Sequence, residues 1–149
     1  MIMSYKDIVN YYESCYEQHG DSHLGVDWPN KIDADTRYRV MTEGVEHCNG
    51  KSILDFGCGL GHYYEYLIRE DKDYYYEGLE LSKSMFHRCA EKHPLTTFHN
   101  IDILQEKWTL PKLDCAVMNG VFTEKLNMTH NEMFNHMTKL ISLVFNNVN

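Results

Sequence analysis

The sequence predicts a three-layer α/β/α sandwich on a mainly parallel sheet, and three observations carry the prediction. First, an apolar run at Ser52 to Phe56 ends in a loop with glycine at every second position, Gly57, Gly59 and Gly61, where a helix begins. Second, further strand-like runs follow at Tyr74 to Leu81, Thr96 to His99 and from Leu113, alternating with helical stretches, as βαβ units require. Third, 149 residues without a repeat, low-complexity tract or linker suit a single domain, which at this size buries roughly 68–70% of its unfolded surface.

The elements justify themselves in order. Ser4 to His19 places Ile8, Tyr12, Cys15 and Tyr16 largely on one side at helical spacing, with Tyr5 and Tyr11 nearby. The long loop from His19 to Pro29 is of the kind that binds something or is disordered, and a second helix runs from about Asp33 to Glu46. Residues 1–50 thus read as a helical lead-in and 51–149 as the core. After the glycine loop and its helix, Ser82 caps another helix to about His93, ended by Pro94. Glu70 to Asp73 and Leu104 to Lys112 read as surface connections, with Pro111 turning the chain before the fourth strand. Thr129 caps a last helix through Leu143 whose apolar face is Met133, Phe134, Met137, Leu140, Ile141 and Val144. Val144 to Val148 is expected as a short fifth strand.

The chemistry concentrates at Leu54 to Gly61. Glycine lets the backbone turn sharply and approach a ligand without Cβ interference. Asp55 ends a buried strand, where an unpaired carboxylate costs several kcal/mol, so it is expected to accept from loop amides or from a cationic ligand group. A dinucleotide loop, Gly-x-Gly-x-x-Gly, is the competing pattern, but the third glycine falls one residue early and His62 stands where that pattern wants glycine. Glu80, closing the second strand, suits a ribose diol with either kind of cofactor.

Asp55-Phe56-Gly57-Cys58-Gly59-Leu60-Gly61 resembles the first motif of the class I S-adenosylmethionine-dependent methyltransferases, acidic-x-Gly-x-Gly-x-Gly, at every fixed position. Three more segments resemble the family in order: Glu80 with Leu81, Asp102 with Ile103, and the run from Leu113 to Gly120. The resemblance implies S-adenosyl-L-methionine as cofactor, with Asp55, Gly57, Gly59 and Gly61 forming its loop and Glu80 and Leu81 at the ribose. Asp102 then takes the adenine amino group, Ile103 lies against the ring, and Asn119 stands at the cofactor-facing end of the fourth strand. It also implies a Rossmann-like sheet ordered 3-2-1-4-5, here lacking the family's last two strands and so leaving an open edge suited to a homodimer.

The lead-in resembles that of bacterial small-molecule methyltransferases through Gly25-Val26-Asp27-Trp28 and Arg37-Tyr38-Arg39. An arginine there meets the methionine carboxylate, which fits the two-pronged guanidinium; Arg37 is the candidate and Arg39 the substitute, against the alternative of a solvated helix-face arginine. Trp28 covers the cofactor or acceptor pocket, or else is pinned in the core. Tyr11, Tyr12 and Trp28 are candidates for an aromatic acceptor site, although both tyrosines cannot face inward on one helix. Asp27, His19, His23 and the surroundings of Asn119 are where a base would lie, and spacing singles out no catalytic residue. The implied function is methyl transfer to a small molecule. The alternatives are a non-catalytic cofactor-binding module or subunit and, on Glu80 alone, a nicotinamide-dependent dehydrogenase.

Composition narrows the partners. A formal net charge of −8 with no basic run disfavours nucleic acid. Neither a signal segment nor an apolar stretch long enough to cross a membrane is visible, so a cytoplasmic protein is expected. Cys15, Cys48, Cys58, Cys89 and Cys115 are dispersed and odd in number, as reduced thiols are. The nine histidines show no ligand motif, and no metal is expected.

Overall fold

The computed structural model describes residues 5–47 and 49–149, so Ser4, with which the first helix was expected to begin, and Cys48 lie outside the described residues. Two helices lead in, α1 (Tyr5–His19) and α2 (Lys31–His47), joined by a loop with one 3-10 turn, Leu24–Val26. The core then runs β1 (Ser52–Phe56), α3 (His62–Arg69), β2 (Tyr75–Leu79), α4 (Lys83–Lys92), β3 (Thr97–His99), β4 (Cys115–Val117) and α5 (His130–Phe145).

The sheet is parallel throughout, in the order β3-β2-β1-β4. Strand alternation divides the interior into two layers of packing. Ile53 and Tyr76 join Trp28 with Ala34, Tyr38 and Val45 of α2 and Tyr63, Tyr66 and Leu67 of α3. Leu54, Phe56 and Leu79 face the other way, onto Leu140 and Val144 of α5 and onto Leu110 and Leu113. Among the described residues no helix is long and apolar enough to cross a membrane.

The capping residues expected from sequence act as such. Ser82 Oγ accepts from the Met85 amide at the start of α4. Thr129 and Glu132 form a reciprocal capping box at the start of α5.

Two expectations at the C-terminal end require correction. Val144 to Val148 do not form a fifth strand, because α5 continues through Phe145 and Val144 stays on its buried face. Past the helix, Val148 packs into the α5 layer and the Asn149 amide donates to Leu113 O at 2.9 Å, just before β4. The apolar face of α5 is also narrower than expected: Met133, Leu140 and Val144 are buried, but Phe134 is 61% and Ile141 43% exposed.

From β1 the connections run one way to β2 and β3 and the other way to β4. The crevice beyond the carboxyl ends of β1 and β4 is the switch point at which sheets of this kind bind ligands.

Candidate functional site

Past Phe56 the chain turns at Gly57 (φ 72°) and Gly59 (φ 56°), left-handed conformations that side chains disfavour. The space is also taken. A Cβ on Gly57 would lie 2.8 Å from Val121 Cγ2, and one on Gly59 3.1 Å from Val26 Cγ1, so the loops after β4 and before α2 close on bare backbone. The Gly57 and Cys58 amides donate to Leu79 O, at 2.8 and 3.1 Å. Gly61 faces elsewhere: its hydrogens abut Cys89 Sγ, so it lets α3 pack beside α4 instead of forming cleft wall.

Three acids stand at the ends of three neighbouring strands and line one cleft: Asp55, Glu80 and Asp102. Asp55 is 2% exposed and accepts from Tyr76 Oη at 2.7 Å. The expected loop amides are not its donors, because they already point to Leu79 O and Glu80. Burial pushes the Asp55 carboxyl up to about 7, against the lowering effect of the Tyr76 bond and with a further rise from the Glu80 charge. Glu80 is buried too. Its Oε2 accepts from the Gly59 amide at 2.8 Å and its Oε1 from the Ser82 amide at 2.7 Å; burial still raises its carboxyl. Asp102 accepts from the Leu104 amide at 3.1 Å and from Tyr5 Oη at 2.7 Å.

Helix α1 crosses the cleft and is fastened to the segment after each of three strands. Tyr5 reaches Asp102 after β3. Glu13 Oε1 accepts from Ser82 Oγ, after β2, at 2.7 Å. Tyr12 Oη donates to Gly120 O, after β4, at 3.3 Å and lies 3.2 Å from Thr123 Oγ1. Tyr12 therefore faces the cleft, while Tyr11 turns outward and donates to Asp27 at 2.8 Å. Which of these two tyrosines faces the cleft is decided by the fold. Sequence reading missed the Tyr5 and Glu13 contacts, the Tyr76 donor and the cleft-facing His136 of α5, because nothing local marks which residues far apart in the chain will meet.

Leu81, Ile103 and Asn119 line the cleft, as does Trp28, which is 9% exposed and belongs to the α2 and α3 packing layer as well. The one ring both lines the cleft and packs in the core. Arg37 is displaced from its expected place. It does not line the cleft: its guanidinium lies over the Trp28 ring, 4.6 Å from the centroid, and pairs with Asp33 one helical turn away. Arg39, the substitute, is exposed and paired with Glu43 at 2.5 Å. Among the described residues lining the cleft there is no lysine or arginine. The arrangement offers acceptors for hydroxyl and amino hydrogens, a buried carboxylate for a cation, and apolar side chains for a flat ring.

A family profile described as "Methyltransferase domain" matches residues 53–142. No curated protein matches the chain. Among solved structures, the chain is similar to the plantazolicin methyltransferase BpumL, crystallised with a desmethyl analogue and SAH, at 16% identity and TM-score 0.63, over 97% of this chain and 56% of that one. It is also similar to SAM-bound CalS10, an amino pentose methyltransferase of Micromonospora echinaspora, at 16% identity and TM-score 0.60, over 100% and 53%. The [4+2]-cyclase SpnF shares the fold at 18% identity and TM-score 0.58, over 76% and 48%. The chain spans about half the length of these structures.

Proposed function

The chain belongs to the methyltransferase-domain family, and on that premise we propose that it binds S-adenosyl-L-methionine in this cleft and transfers the methyl group to a small-molecule acceptor. The observation that carries the reading is the convergence of Asp55, Glu80 and Asp102, from the ends of β1, β2 and β3, on one cleft whose floor includes the bare backbone of Gly57 and Gly59. BpumL with SAH and CalS10 with SAM support the choice of cofactor.

The residues present fit that group. Glu80 keeps free acceptor capacity for the ribose hydroxyls beyond its two amide partners. Asp102 and Ile103 would take the adenine amino group and ring face. Leu81 would lie at the ribose and Asn119 at the end of β4. Asp55, buried and held by the Tyr76 hydroxyl, would take the ammonium of the amino-acid end. The cofactor supplies an activated methyl group when bound. The protein's task is to hold the acceptor in line behind that methyl and to keep water out, which α1 and Trp28 serve by covering the cleft.

In this reading residues 1–50 and 51–149 act as one unit, in the cytoplasm, and pair as a homodimer through β4, which among the described residues is bonded to β1 alone. A second reading is a cofactor-binding module that does not itself transfer the methyl group. It is favoured by SpnF, whose name shows that this fold also serves a cyclase.

Calorimetric titration with S-adenosylmethionine, S-adenosylhomocysteine and nicotinamide dinucleotides tests the cofactor. Binding of the first two alone is expected, and preference for a dinucleotide would overturn the assignment. Tritium transfer from labelled methyl donor to a pool of small metabolites then separates enzyme from module.

A further inference from the structure

Tyr5, the first residue of α1, makes contacts resembling those a bound adenine would make. Its hydroxyl donates to Asp102 Oδ2 at 2.7 Å and accepts from Gln105 Nε2 at 3.3 Å. Its ring stacks on His136 of α5, with centroids 5.5 Å apart and planes 9° apart, and lines the same cleft as Ile103 and Leu104. A flat ring carrying one polar hydrogen, aimed at Asp102 and stacked between the β3 loop and α5, has the chemistry of adenine with its amino group. Asp102 Oδ1 holds the Leu104 amide and Oδ2 the Tyr5 hydroxyl, so loss of Tyr5 leaves the bond at the other oxygen in place.

Resting on the cofactor reading above, we propose that Tyr5 is an internal occupant of the adenine subsite, which the incoming base displaces from Asp102 and His136. The remainder of α1 stays fastened by Tyr12 at Gly120 and by Glu13 at Ser82. Closed without ligand, the cleft keeps its acids paired; occupied, it exchanges the tyrosine hydroxyl for the adenine amino group. The exchange lowers apparent cofactor affinity by whatever the Tyr5 contacts are worth.

The test uses the full chain and S-adenosylhomocysteine as probe, with Tyr5→Phe and Tyr5→Ala variants. Tyr5→Phe removes the hydrogen bond to a carboxylate, so the dissociation constant is expected to fall by about tenfold. Tyr5→Ala, which also removes the stack on His136, should bind at least as tightly as Tyr5→Phe. Unchanged or weaker binding by either variant would mean that Tyr5 stays in place as a wall of the adenine pocket, and would overturn the inference while leaving the cofactor reading intact. No binding by wild type or variants, with folding retained, would overturn both.

Discussion

The Gly59 amide donates to Glu80 Oε2 at 2.8 Å, which ties the loop after β1 to the acid after β2. The same carboxylate holds the Ser82 amide at the start of α4 with its other oxygen, so loop, acid and helix start are tied together. Glu80→Ala strands these amides and is expected to lower stability by about 1–3 kcal/mol for each one left unsatisfied. Glu80→Gln keeps one acceptor oxygen and should lose less. Chemical denaturation of the two variants measures the difference; equal losses would mean that the amides find other partners.

Gly59→Val adds a β-branched side chain at φ 56°, facing Val26, and is expected to abolish binding of S-adenosylhomocysteine and to lower stability too. The left-handed conformation alone costs about 1–2 kcal/mol for an ordinary residue. Gly44→Ala, in α2 with open space around it, is the control and should stabilise by roughly 0.5–1 kcal/mol. Titration calorimetry and thermal unfolding read both effects.

Burial raises the Asp55 carboxyl from an unfolded value of about 3.9 to about 7. The folded chain therefore holds a proton that the unfolded chain releases in this window, and stability is expected to fall as pH rises from about 4 to about 7 and then to level off. Asp55→Asn should flatten that part of the profile and be the more stable protein above pH 7, while losing affinity for the ammonium-bearing cofactor. Urea midpoints across pH check the sign; parallel profiles would show that Asp55 is ionised throughout.

Asp102→Ala is expected to weaken S-adenosylhomocysteine binding by about 1–3 kcal/mol through loss of the adenine acceptor. The change also releases Tyr5 and the Leu104 amide, so stability should fall as well. A stability change with unaltered affinity would make Asp102 a purely structural acid.

Arg37→Ala tests the displaced arginine. With the guanidinium stacked on Trp28 outside the cleft, the change should lower stability by about 0.5–1 kcal/mol and leave cofactor affinity essentially unchanged. A large loss of affinity would return Arg37 to the methionine carboxylate.

Local pattern was enough for the strand, loop and helix around Gly57 to Gly61, because main-chain turning and burial of short apolar runs depend on neighbours in sequence. It also located Asp55, Glu80 and Asp102, since Asp55 is the penultimate residue of β1, Glu80 and Asp102 follow β2 and β3, and parallel strands bring their carboxyl ends together. The caps at Ser82 and Thr129 were legible for the same reason.

What lies across the cleft was not legible. Whether Asp55 meets loop amides or Tyr76, whether Arg37 reaches the ligand or stacks on Trp28, and which tyrosine of α1 meets Asp102 depend on how helices settle over the sheet. The end of α5 followed the same logic, with burial of Val144 on its helical face prevailing over the strand-like run that follows it. The sequence by itself determined the parallel core and its acids, which nearest-neighbour sterics and periodicity impose. Only the tertiary structure decided their partners, because a hydrogen bond between residues 97 positions apart leaves no periodic trace in the chain.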